Sequence, residues 1–121
     1  MKKPNTVTNA SGAGRRRSVK SAMAIEAMQH HASEAVAVLK AIGNQNRLLL
    51  LCQMVDGERS VNELAEALDL AQSVVSQHLS LLRREGLVAG RRESQSIYYN
   101  ICDERVHALM AKLFELFCID D

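Results

Sequence analysis

At 121 residues, 47% apolar but only 3% aromatic and without tryptophan, the chain is one domain with a core of Leu, Val, Ala, Ile and Met, α-rich and small for a catalytic pocket. Its net charge of +1 hides an asymmetry: residues 1–20 carry Lys2, Lys3, Arg15, Arg16, Arg17 and Lys20 with no acid, so the remainder is acidic, about −5. No apolar run approaches the ~20 residues of a membrane span and no signal peptide is visible, so a cytoplasmic protein is expected, its three cysteines being free thiols, metal ligands or redox sensors.

Residues 1–18 hold almost nothing to bury and read as a disordered basic tail, with the folded domain over 19–121. The Arg15, Arg16, Arg17 run is either a flexible basic arm that could touch a polyanion or simply solvated. From 19 to 42, Ile25, Met28, Ala32, Ala35, Val36, Leu39 and Ile42 recur at helical spacing. Gly43 ends that helix and Asn44 caps the next, predicted over 44–55. With Leu48, Leu49, Leu50, Leu51, Cys52, Met54 and Val55, this second helix is apolar nearly all round and is expected at the buried centre.

Ser60 opens a third helix, and Glu63 three residues on makes a capping box, in which side chains satisfy the first orphaned backbone donors. Val61, Leu64, Ala65 and Leu68 give that helix one apolar face. A fourth helix, from about 71 to 85, turns Val74, Val75, Leu79 and Leu82 one way and Gln72, Ser73, Ser76, Gln77 and Ser80 elsewhere, and Gly86 stops it. Residues 87–92 and 96–101 alternate as two strands around a turn at 93–95. Arg83, Arg84, Arg91 and Arg92 outnumber Glu85 and Glu93 here, so local positive charge sits where phosphates would be met.

Asp103 caps a last helix striped with Val106, Leu109, Met110, Leu113, Phe114 and Phe117. That stripe exceeds what a small domain needs internally, and helix pairing in a homodimer is its natural sink. The predicted fold is mainly α with a small β-hairpin. It is a winged helix-turn-helix of five helices, the hairpin lying between the fourth and fifth, dimeric through the first and last.

At SVVSQHL, followed by LRREGLV and the arginine-bearing hairpin, the chain resembles the ArsR/SmtB family of small dimeric bacterial repressors, from about residue 35 to 118. The resemblance implies a winged dimer that binds an imperfect palindrome in double-stranded DNA and is switched by a chemical signal. It further implies that Gln72, Ser73, Ser76, Gln77 and His78 meet the major groove, with Arg83 at the helix end and Arg91 and Arg92 on the wing. Glutamine bonds an adenine edge bidentately, and small hydroxyl side chains let a helix enter a groove only ~12 Å wide. His78, flanked by Val75 and Leu79, has the alternative of partial burial. The chain departs from the family pattern at Ala71, where Ser or Thr is common as a cap, and at Gln45, where proline is frequent.

Ligand inventory bears on the signal. VNELAEALDL contains no cysteine for a thiolate metal site, and Arg105 stands near Asp103 and His107 where a further ligand is expected. His30 and His31 point about 100° apart on a helix. No metal or cofactor is assigned, a metal-responsive repressor being the alternative. Cys52 and Cys118 resemble the cysteine pair of the thiol-sensing HlyU/BigR/SqrR-type branch, which implies a reversible disulfide or polysulfide between them that releases DNA in response to reactive sulfur or oxidants. Cys102 has no counterpart in that pattern. The residues themselves leave Cys52 and Cys118 open as core side chains, since leucines around one and Asp120 and Asp121 beside the other raise a thiol pKa. A small thiol enzyme is the rival of another class, but no CxxC, phosphate loop or nucleophile elbow supports it, and no enzyme is expected.

Overall fold

The computed structural model describes residues 10–118, with side chains described from residue 21 onward. Five helices and three short strands follow one another among them. They are α1 (Ala10–Ile42), α2 (Gln45–Gln53), β1 (Arg59–Ser60), α3 (Val61–Leu68), α4 (Gln72–Arg84), β2 (Val88–Glu93), β3 (Ser96–Ile101) and α5 (Glu104–Cys118). The chain divides into two compact units between Ala35 and Val36, a boundary that falls within α1.

In the first unit, α1 begins at Ala10, well ahead of the predicted start at residue 19, so residues 10–18 of the expected disordered tail are helical. Alanine and arginine are strong helix formers, and lengthening an existing helix avoids the cost of a new nucleus. Residues 1–9 of that expected tail lie outside the described residues.

The second unit holds the core. Leu50, Leu51, Leu64, Val75, Leu79, Leu82, Leu87 and Val106 have no exposed surface, and Met54 and Met110 have almost none. Burial stabilises each of these side chains by ~1.5–3 kcal/mol relative to exposure. From α1 the core receives Val38, Ala41 and Ile42, whereas Val36 and Leu39 of the predicted stripe stay exposed. The α2 helix is capped by Asn44, whose side chain accepts from the Arg47 backbone at 3.1 Å. Its burial is one-sided, because Leu50 and Leu51 are enclosed while Leu49 remains 37% exposed.

The wing is a three-stranded antiparallel sheet of order β1-β3-β2 rather than a lone hairpin. β1 has no signature in the sequence, because two residues are too few to show alternation. It pairs Arg59 with Tyr99 and Ser60 with Tyr98, which anchors the start of α3 to the wing. β2 runs from Val88↔Ile101 to Glu93↔Ser96, closing on a two-residue turn with Ser94 at φ 59°. Gly90 faces Tyr99, where an added Cβ would lie 2.9 Å from a ring carbon, so only glycine lets the tyrosine cross it.

Candidate DNA-binding face and thiol pair

The helix-turn-helix is built from three local devices. Ser60 and Glu63 form the predicted capping box, the serine oxygen accepting from Glu63 N at 3.0 Å and the glutamate from Ser60 N at 2.8 Å. Asp69 adopts the left-handed conformation that ends α3, and Leu70 N returns to the Ala65 carbonyl at 3.0 Å. Gly86, at φ +79°, closes α4 with Leu87 N bonded to the Leu82 carbonyl at 3.0 Å. At the other end of α4, Ala71 sits at the cap position in extended backbone and makes no side-chain cap hydrogen bond.

With Val75, Leu79 and Leu82 fully enclosed, α4 is held by one face, and Gln72, Ser73, Ser76, Gln77 and Arg83 are exposed on the others. Gln72 donates to Asn62 of α3, which steadies the first turn of α4. Gln72 and Ser76 line a polar cleft of about 180 Å³ with Asn62, Gln95, Ser96 and Ile97, so the start of α4 and the tip of the wing share one surface. His78 is not with them. It is half-buried, and burial together with the nearby Arg47 guanidinium lowers its pKa below the ordinary histidine value. Arg47 is itself fixed, donating from Nε to the Ala41 carbonyl at 2.6 Å and from Nη2 to the Lys40 carbonyl at 3.2 Å.

The two wing arginines also differ. Arg92 is exposed. Arg91 is engaged by Glu58 and Glu93, with Nη2 2.5 Å from Glu58 and Nη1 2.7 Å from Glu93, and its guanidinium lies 4.9 Å above the Tyr98 ring. Hydrogen bonds from Arg91 hold the Glu58 carboxyl below the usual carboxylate range. Glu58 and Arg47 were not singled out by the sequence. Only recognition of β1 brings Glu58 to the wing, and no periodic signal marks Arg47.

Cys52, Cys102 and Cys118 are free thiols. Cys52 on α2 is partly buried, while Cys118 at the end of α5 is exposed. Burial raises the Cys52 pKa, and negative charge on Cys118 raises it further. Cys102 stands apart with Sγ 3.5 Å from the Gly86 carbonyl. Asp103 turns back on Arg105, at 2.7 Å, and among the described residues no three His, Cys, Asp or Glu side chains group as metal ligands. No helix among the described residues is long and apolar enough to cross a membrane.

A capped helix, a tight turn, a second helix with a polar exposed face and an arginine-bearing wing together define a winged-helix DNA-binding transcription regulator. Residues 44–89 match the family described as bacterial regulatory protein, arsR family. The chain is 43% identical over 96 residues to the transcriptional activator HlyU of Vibrio cholerae, covering 79% of this chain and 89% of that protein. The structure of reduced HlyU from Vibrio cholerae superposes with a TM-score of 0.73 over 77% of this chain and 98% of that one, at 43% identity. The transcriptional repressor BigR from Xylella fastidiosa does so at 0.74 over 78% and 97%, with 35% identity. The chain belongs to the arsR family of bacterial regulators of transcription, and its work is binding rather than catalysis.

Proposed function

We propose that this regulator is a cytoplasmic homodimeric repressor whose hold on an imperfect palindromic operator is released when Cys52 and Cys118 are joined by a disulfide or polysulfide. Gln72, Ser73, Ser76 and Gln77 read base edges, while Arg83 and the wing supply phosphate contacts. Two such helices reach successive major grooves when set about 34 Å apart. The dimer is supported by apolar residues left outside, Phe114, Leu116 and Phe117 on α5 and Ile25, Met28 and Leu39 on α1.

The observation that supports the switch is that Cys118, at the end of α5, lies close enough to Cys52 of α2 for its charge to help raise the Cys52 pKa, after burial. Exposed Cys118 meets the oxidant first, and Cys52 then closes the bridge. For a disulfide, the two thiols lose two protons and two electrons, which reduce a peroxide to water or alcohol, or a polysulfide to sulfide and a shorter polysulfide. For a polysulfide bridge, the inorganic polysulfide also donates the inserted sulfane sulfur and leaves as sulfide. The bond ties α2 to the end of α5 and biases the dimer interface that sets the spacing of the reader helices. Because the raised pKa keeps Cys52 protonated near neutrality, bridge closure should accelerate about tenfold per pH unit until that pKa is reached. Intact-mass measurement after polysulfide treatment, paired with gel shifts of wild type and Cys52→Ser, tests the reading. The wild type should gain a bridge and leave DNA, and the mutant should stay bound; a mutant that is still released by polysulfide overturns the switch.

A further inference from the structure

Alternation along β2 and β3 puts the two wing arginines on opposite faces of the sheet. Val88 and Ile101 are paired and both buried, and Gly90 lies against buried Tyr99, so this face looks toward the helices. Arg92, paired with Ile97, continues the same face outward, and Ile97 lines the polar cleft shared with Gln72 and Ser76. Arg92 has no ion-pair partner among the described residues.

Arg91, paired with Tyr98, takes the other face. Its Nε lies 3.1 and 3.0 Å from the two Glu58 oxygens, its Nη2 2.5 Å from Glu58, and its Nη1 2.7 Å from Glu93. Glu58 directly precedes β1, and β1 pairs with the far side of β3. Arg91 therefore reaches from one edge strand across Tyr98 to the other. All three of its nitrogens are engaged, and leaving would turn two carboxylates, Glu58 and Glu93, loose beside a phosphate backbone.

We propose that Glu58 is the positioning residue of the wing: through Arg91 it straps β2 across the sheet, so that Arg92, and not Arg91, meets a DNA phosphate. This rests on the DNA-binding reading of the wing. The operator need not be known to test it, because non-specific binding is governed by phosphate contacts and their release of counterions.

The test is the salt dependence of binding to a mixed-sequence duplex of about 30 bp, long enough for two successive major grooves. Arg92→Gln should lower the slope of log affinity against log salt by ~0.9 for each protomer in contact. Arg91→Gln and Glu58→Gln should keep the slope and weaken binding on the order of threefold, the cost of ordering a loosened wing at the interface. The double mutant should be no weaker than either single. Arg91→Lys, which keeps the charge but loses the fork, should behave like Arg91→Gln. In the free wild type, the Arg91 Nε–H proton should give a protected NMR signal that survives addition of the duplex and disappears in Glu58→Gln. A slope that falls equally in Arg91→Gln and Arg92→Gln, or that steepens in Glu58→Gln, overturns the strap alone. If the wild type itself shows no salt-dependent binding, the DNA reading falls and the proposal falls with it, whatever the NMR signal shows.

Discussion

Helices α4 and α5 use an apolar face in two ways. On α4, Val75, Leu79 and Leu82 are enclosed by the same chain, Val74 and Leu81 are half-buried, and the residues that are exposed are polar. On α5, Val106 and Met110 are enclosed, but the stripe then runs on to Phe114, Leu116 and Phe117, which are 37%, 66% and 78% exposed. The proposed reader helix thus has its apolar face largely packed within one protomer, while the last helix ends in a face that the described residues leave exposed. A rigid output beside an incomplete interface is what a regulator needs if its signal is to change how two copies sit rather than how each reader is folded.

The strongest way to break this contrast is to cut into both faces. Leu79→Ala removes a side chain with no exposed surface and should cost ~2–5 kcal/mol, read as an earlier urea midpoint. Phe117→Asp removes no enclosed packing, and its effect should appear in sedimentation as a shift from dimer to monomer. Tolerance of the first together with an intact dimer in the second would erase the division between the two helices. Next in size is Gly90→Ala, which drives a methyl to within 2.9 Å of the ring of Tyr99, a residue only 7% exposed and unable to swing aside. Overpacking of this kind should cost ~1–3 kcal/mol in thermal unfolding.

The two caps of the reader sharpen the same point at a smaller scale. Ser60→Ala dissolves the capping box and should cost ~1 kcal/mol. Ala71→Ser goes the other way, since Ala71 already has extended backbone (φ −65°, ψ 145°) and lacks only the side-chain oxygen. It should gain about half to one kcal/mol, measured as a higher urea midpoint at unchanged slope.

Much of this architecture is legible in the residues because its causes are local. The capping box at Ser60, the stop at Gly86 and the uncapped Ala71 are each decided by neighbours a turn away. The hairpin is legible to within a residue from its alternation, but its turn is residues 94–95 rather than 93–95, because Glu93 joins β2 and pairs with Ser96. What escaped depends on distant partners. β1 is two residues long, and its meaning comes only from pairing with β3. Glu58 and Arg91 lie far apart in the chain and meet because that pairing brings them together. On α1, periodicity showed that a face is apolar without showing which residues the core takes, and the core took Val38 and Ala41 in place of Val36 and Leu39. His78 falls between its two readings, on α4 yet half-buried and within the electrostatic reach of Arg47.

That histidine offers the smallest test, at the joint where the closed reader meets the helices before it. Arg47 is tied to the last carbonyls of α1 and its guanidinium acts on His78 of α4, so one cation stands where three helices come together. Burial first, and Arg47 second, disfavour the imidazolium in the folded state. The folded pKa is therefore below the unfolded one, and the stability it represents is fully present above the unfolded value of about 6.5 and is lost as pH falls through the folded one. Melting temperatures of wild type and His78→Gln, followed from about pH 7.5 down to 5, should converge on the acid side as the wild type loses its advantage. The residue is only half-buried, so the loss should be modest and should leave sedimentation unchanged. Parallel pH curves for the two proteins would mean that protonated His78 is accommodated beside Arg47 at no cost. The reader would then be less tightly bound to α1 and α2 than its enclosed leucines imply.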